Sequence, residues 1–266
     1  MKPEILSIDL NSDVGESFGA YQIGNDNALM PLLTSANIAC GFHAGDPQVM
    51  ARTVQLALQH NVAIGAHPGF ADLAGFGRRA LDATPAEIEN DVLYQIGALA
   101  GIAHAHGGKL AHVKAHGALY NLAATKPDIA RAIARGIARF DSNLVMLALA
   151  GSAMVAAARA EGLRIAREGF CDRAYNRDGT LRSRREAGAV IHDAQRAAEQ
   201  ALQIVREKTV TTPEGETLAL EADTLCIHGD TPGAVEIARA VRGTLQKNGI
   251  AVTRIERGSR GAGEQR

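Results

Sequence analysis

The sequence predicts one α/β domain, folded as a closed barrel of parallel strands with helical crossovers. Three observations carry that prediction. Short β-rich runs alternate with helix starts along nearly the whole chain, as parallel strands with helical connections do. The alternation repeats seven or eight times, which suits a closed barrel better than an open sheet. The 266 residues, 46% hydrophobic and 21% charged, match a size at which β/α barrels fold as single units.

The β-rich runs lie at 5–10, 37–40, 62–66, 109–113, 144–149, 163–166, 224–227 and 250–255. Between them, Asp46-Pro47 places an N-cap before a proline at the first helical position, where a missing N–H costs nothing. Thr84-Pro85-Ala86-Glu87 reads as a capping box opening a long helix that stops at Gly107-Gly108. Ala130, Ile133, Ala134 and Ile137 form the apolar stripe of an ordinary amphipathic helix, and Thr231-Pro232 repeats the cap-plus-proline device. Two segments interrupt the pattern: a Gly- and Ala-rich loop at 68–83 and a polar, Arg-rich loop at 171–187. A hairpin is expected from 209–212 through Pro213-Glu214-Gly215 into 218–220. The barrel is expected to occupy residues 1–256, with 257–266 as a frayed tail.

Composition removes several function classes. The formal charge of −1 leaves no basic excess to neutralise a phosphate backbone, so nucleic acid is not the expected partner. The most apolar stretch, 144–158, is broken by Gly151 and Ser152 and falls short of the roughly 20 residues a membrane helix needs. The first residues carry no export signal, and Cys40, Cys171 and Cys226 form no CxxC pair, so a cytoplasmic protein without a disulfide framework is expected. The cysteines read as packing residues at strand ends.

Function is expected where the strands end, because a β/α barrel gathers its carboxyl-end residues at one mouth. Nearly every strand here runs into ionisable residues. The first leads to Asp9-Leu10-Asn11-Ser12-Asp13-Val14-Gly15-Glu16, the second to His43, the third to His67, and the fourth to His112-Val113-Lys114-Ala115-His116. The sixth leads to Glu168 through Arg173, and the seventh to His228-Gly229-Asp230. Of nine histidines, six are placed at the mouth or its rim: His43, His67, His112, His116, His228 and His192. Asp46 and Asp230 are read as helix caps only. Asp13, His67 and His116 make a set suited to a divalent metal. A metal-free pocket, in which histidines bind substrate and Lys114 offsets negative charge, is an equal alternative. Gly107-Gly108-Lys109-Leu110 lacks the rest of a phosphate loop, Gly75 to Ala80 does not follow a strand as a dinucleotide fingerprint must, and no Gly-x-Ser-x-Gly elbow exists. Arg78 and Arg79 are either an anion-binding pair or a solvated one.

The motifs Asp9 to Glu16, Asn37 to Asp46, Gly65-Ala66-His67-Pro68 and His116-Gly117-Ala118-Leu119-Tyr120-Asn121 resemble the LamB/YcsF family. The resemblance continues through Asp172-Arg173-Ala174-Tyr175 and Ile227-His228-Gly229-Asp230, to about residue 255. It implies a seven-stranded β/α barrel of the glycoside hydrolase/deacetylase type. It also implies the A subunit of an ATP-dependent 5-oxoprolinase, opening 5-oxo-L-proline to L-glutamate with subunits B and C. Where the family usually carries proline, this chain has Ala71, Ala115 and Ser183.

In that setting Asp13, Lys114, His116 and Asp172 are the expected catalytic residues. Asp13 or His116 would serve as general base, and Lys114 and Arg173 would meet carboxylate or phosphoryl oxygens. Asn11, Glu16, His43, His67, Arg173 and His228 are the expected substrate contacts. ATP is expected to serve the complex without a binding motif in this chain, and a divalent metal is an open option. The rival readings are a stand-alone metal-dependent deacetylase or amidohydrolase and a non-catalytic 5-oxoproline-binding subunit.

Overall fold

Strands and helices alternate in the computed structural model, which describes residues 6–255; the tail expected at 257–266 lies outside these. Seven parallel strands close into a barrel: β1 (Ser7–Val14), β2 (Ser35–Ala39), β3 (Ala63–His67), β4 (Leu110–Lys114), β5 (Val145–Leu149), β6 (Arg164–Phe170) and, after the hairpin β7 (Thr209–Thr211)–β8 (Thr217–Ala219), β9 (Thr224–His228). β9 pairs with both β6 and β1, with Asp9 opposite Thr224 and Asp13 opposite His228, and this closes the ring. The run expected at 250–255 shrinks to β10 (Ala251–Val252), which extends only the amino end of β1.

The helices start where the sequence supplies caps. The Asp46 carboxylate accepts from the N–H groups of Gln48 and Val49 at the head of α2 (Pro47–Gln59), after α1 (Asp26–Leu29). Thr84 and Glu87 form the expected capping box of α3 (Pro85–Ala105), satisfying two N–H groups that the first turn leaves without helical partners. α4 (Gly117–Thr125), α5 (Pro127–Asp141), α6 (Ala153–Ala160), α7 (Ala194–Glu207) and α8 (Ala234–Lys247) complete the outer ring. No helix among the described residues is long and apolar enough to cross a membrane.

The period of two along each strand separates two interiors. Leu10, Ile38, Ile64, Val113 and Met146 belong to the large apolar core that includes the helices. The alternate residues face the barrel axis, since Lys114 on β4 reaches Asp13 on β1 although those strands are not neighbours. Asp9, Asn11 and Asp13 on β1, Ser35 and Asn37 on β2, His112 and Lys114 on β4, and Thr224 and His228 on β9 give this inward face polar groups. On β5 and β6, Val145, Leu147 and Ala166 instead form a small apolar cluster with Ile255.

A hydrogen-bond ladder crosses the polar side. Thr224 donates to Asp9 at 2.5 Å and accepts from Asn11 at 2.7 Å; Asn37 donates to Asn11 at 2.7 Å and to Asp13 at 2.9 Å. His112 Nε2 bonds Asn37 Oδ1 at 2.7 Å, so His112 is an internal strut and not the mouth residue expected. Its ring lies across Gly65, where a Cβ would stand 2.0 Å from His112 Nε2; only glycine fits.

Candidate active site

The mouth is a cavity of about 580 Å³, within the usual range for small-ligand sites. All the nominated catalytic and substrate-contact residues are buried. Asp13, Glu16, His67, Lys114, His116, Arg173 and His228 line the cavity, while Asn11, His43 and Asp172 stand behind that wall. His192 is exposed and outside the lining, contrary to expectation, because the chain turns outward just before α7. Asp230 is no simple cap. Its carboxylate takes Arg78 Nη2 at 2.5 Å and lies 3.9 Å from Arg184, so it ties two loops together across the rim. Arg79 is bound to Asp72 and faces away from the cavity.

Three groupings make up the site. At its base, Lys114 Nζ lies 2.9 Å from Asp13 Oδ1, 3.0 Å from Cys226 Sγ and 2.9 Å from Glu168 Oε1. The Glu168 contact is an ion pair set off the hydrogen-bond line, and Tyr120 OH donates to the other Glu168 oxygen at 2.6 Å. Burial opposes the Lys114 charge, but Asp13, Cys226 and Glu168 together raise its pKa well above the usual lysine value. Burial likewise opposes the Asp13 charge, yet His67 and Lys114 hold the carboxyl well below its ordinary range. Glu16, close by, goes the other way: burial and the negative charges of Asp13 and Asp230 push it well up.

The second grouping is aromatic and buried. His43 stacks on His116 with ring centroids 3.7 Å apart, and His67 meets both edge-on. The 68–83 loop closes over these rings, with the Phe76 carbonyl 2.8 Å from His116 Nε2. Gly77, at φ +61°, permits that approach: a Cβ there would stand 2.7 Å from His116 Cδ2. Burial and the neighbouring imidazoles hold both His43 and His116 well below the usual histidine value.

The third is a carboxylate–imidazole pair on the opposite wall. Asp172 accepts from His228 Nδ1 at 2.9 Å and from the His228 backbone N–H at 3.0 Å, which fixes ring and tautomer together. Burial acts against the Asp172 charge, but His228 outweighs it and the carboxyl stays below its ordinary value. Phe170 stacks on the His228 ring. Beside it, Arg173 donates to the carbonyls of Ala189 and Arg182 and has no carboxylate at salt-bridge distance among the described residues. Burial and the nearby Arg184 lower its pKa to about 10. Gln200 on α7 anchors the start of this loop by bonding the carbonyls of Phe170 and Arg173.

Sequence reasoning gave no role to Glu168, Tyr120, Asn37 or Arg184. The signal for Glu168 was its place among the strand-end residues, and Tyr120 lies within the His116 motif. Ala115 is buried, and the His116 N–H beside it donates to the Pro68 carbonyl. Ala71 is exposed, and Ser183 accepts a 3.4 Å bond from the Arg185 N–H. The buried carboxylates and imidazoles of the mouth form groups of the kind that hold a divalent cation.

Comparison with known proteins agrees with this architecture. The chain is 56% identical to the 5-oxoprolinase A subunit of Bordetella parapertussis, over 92% of this chain and 98% of that one. It is 52% identical to the 5-oxoprolinase A subunit of Pyrococcus furiosus, over 93% and 97% respectively. The lactam utilization protein of Thermus thermophilus superposes with a TM-score of 0.88 at 48% identity, covering 93% of this chain and 99% of that chain. The LamB/YcsF family model matches residues 8–260, and the chain belongs to the LamB/YcsF family.

Proposed function

We propose that this chain is the lactam-opening A subunit of a 5-oxoprolinase, converting 5-oxo-L-proline to L-glutamate in a reaction coupled to ATP hydrolysis. One observation carries the reading: His228, backed by Asp172, and Lys114 with Asp13, backed by Glu168, line one small cavity, on a chain whose relatives bear the 5-oxoprolinase name over almost their full length. A lactam needs three things to open: an activated carbonyl, an attacking water, and a proton on the leaving nitrogen.

Transfer of the ATP γ-phosphoryl group to the amide oxygen makes the ring carbon electrophilic. Water adds to that carbon, and the ring C–N bond breaks as the nitrogen gains a proton. This leaves the amino group and an acyl phosphate. A second water cleaves the acyl phosphate, so the products are glutamate, ADP and phosphate. His228, held by Asp172 through Nδ1, has Nε2 to take the water's proton and return it to the ring nitrogen. In this role it takes precedence over Asp13 and His116, whose polar atoms are engaged by Lys114, Asn37, His67 and Phe76. Lys114 places a fixed positive charge below the reacting carbonyl, and Arg173 with Arg184 meets the substrate carboxylate or phosphoryl oxygens. The sequence carries no phosphate-loop or dinucleotide fingerprint, which fits a division of labour with subunits B and C in the ATP-coupled reaction.

Reconstitution tests the proposal. The chain alone, and the chain with subunits B and C, receive 5-oxoproline and ATP, and glutamate and ADP are measured together. Equal amounts of both, formed only by the full complex, are expected. Glutamate from the isolated chain without ATP would overturn the ATP-coupled reading in favour of a stand-alone amidohydrolase, which the buried imidazole–carboxylate groups favour.

A further inference from the structure

We propose that the β7–β8 hairpin is a latch for the 171–187 loop, and that Glu214 and Glu216 at its tip are positioning residues for Arg173. This rests on Arg173 meeting the substrate carboxylate, as proposed for lactam opening, and it brings into the site a hairpin that otherwise only decorates the barrel. Arg173 is buried and lines the cavity, and the loop decides where its guanidinium points. Nε donates to the Ala189 carbonyl at 3.2 Å, and Nη2 to the Arg182 carbonyl at 2.5 Å. Nη1 has no hydrogen-bond partner among the described residues. Two nitrogens aim the third, and the loop supplies the carbonyl that fixes one of them.

That carbonyl sits on a flap with little apolar anchorage. Tyr175 bridges Leu181, the Arg182 N–H donates to the Ala174 carbonyl at 2.9 Å, and the Asn176 N–H donates to the Thr180 carbonyl at 2.8 Å. These bonds fold the loop back on itself but tie it to nothing else. None of residues 176–188 is buried. A segment with so little buried surface opens easily unless polar ties hold it. It also carries Arg177, Arg182, Arg184 and Arg185, whose like charges oppose a compact fold.

The ties run to the hairpin. Arg182 Nη1 donates to Glu214 Oε1 at 2.9 Å, while its Nε stays on Glu186 of the loop at 3.1 Å. Arg177 Nε lies 2.9 Å from Glu216 Oε2. The hairpin can hold the loop because it is itself fixed. Val210, Thr212 and Leu220 are buried, and the Gln203 amide of α7 donates to the hydroxyls of Thr209 and Thr211 at 3.2 and 3.0 Å. An unbroken line of contacts therefore leads from α7 through the hairpin to Glu214, then Arg182, then Arg173 and the cavity. The same two carboxylates take up Arg182 and Arg177 and leave Arg184 beside the cavity.

Two measurements test the latch, both on the variant Glu214→Ala with Glu216→Ala, which removes exposed side chains only. Exposed ion pairs are individually weak, so in the full chain amide hydrogen exchange across 174–186 is expected to quicken about three- to tenfold, with the unfolding midpoint unchanged. In the complex reconstituted with subunits B and C, KM for 5-oxoproline is expected to rise about three- to tenfold at constant kcat, because a carboxylate contact is made equally in the ground and transition states. Arg177→Glu combined with Glu216→Arg is expected to restore the KM that either change alone raises. Unchanged exchange would overturn the latch. Faster exchange with KM unmoved, a fall in kcat in its place, or no recovery in the reversed pair would overturn the positioning of Arg173. Absence of glutamate from the wild-type complex would refute the 5-oxoprolinase reading instead, and the exchange rates would still decide the latch.

Discussion

Asp9 and Asp13 sit on the same inward face of β1, both buried, yet their environments drive them in opposite directions. Asp13, at the mouth, faces Lys114 and His67, and these hold it ionised despite the cost of burial. Asp9, at the barrel floor, receives only hydroxyls from Thr34, Ser35 and Thr224 and the Ile255 N–H. Burial therefore prevails over those bonds and raises Asp9 to about 6. The neutral amides of Asn11 and Asn37 lie between the two. Burial is common to both carboxyls; the partner decides the charge. The mouth is built to hold ions, and the floor is built to terminate hydrogen bonds.

Lys114→Met should have the largest effect, because it gives the mouth the cation-free character of the floor. It leaves Asp13 and Glu168 buried without their shared ammonium. Removing one partner from a buried ion pair costs about 3–5 kcal/mol, so urea denaturation should show a loss of that order, together with loss of glutamate formation. A loss under about 1 kcal/mol would mean that Lys114 does not set the charge of the mouth.

The pH dependence of the floor comes next. Between the ordinary carboxyl value of 3.8 and about 6, native Asp9 binds more protons than the unfolded chain. Its contribution to stability therefore falls as pH rises through that window and is constant above it. Asp13, with its lowered pKa, contributes in the opposite sense: its stabilisation is present at neutral pH and is lost as the carboxylate is protonated in acid. Asp9→Asn should gain about 2 kcal/mol relative to wild type between pH 4.5 and pH 7.5 in denaturant titrations. A constant difference would show that Asp9 titrates at an ordinary value.

The smallest effect is expected on the arginine side. Arg184→Ala should raise KM for 5-oxoproline roughly tenfold with little change in kcat, since Arg173 and the Arg78–Asp230 pair remain. A fall in kcat with KM unchanged would place Arg184 on the reacting atoms instead.

The barrel and its mouth were legible because strand ends announce themselves: β runs, a capping residue and polar residues between them. The division of labour within the mouth was not. Asp9 and Asp13 look alike in the motif they share, and the lysine that separates them comes from β4, far along the chain. His112 and His116 have helical spacing, but β4 ends between them, so one points into the barrel and the other lies at the mouth. Glu168 was read beyond the end of a strand at 163–166, whereas β6 continues to Phe170 and places it inside, beneath Tyr120. Local pattern locates such residues; only closure of the sheet supplies their partners.

The most direct test of the proposed chemistry is Asp172→Asn in the complex reconstituted with subunits B and C. The asparagine preserves shape but removes the charge that orients the His228 ring and supports its protonation. Glutamate formation should fall by roughly 10³-fold, within the range for losing an oriented proton carrier, with KM for 5-oxoproline and the unfolding midpoint little changed. Wild-type glutamate formation by that variant would contradict the assignment of the Asp172–His228 pair to proton transfer.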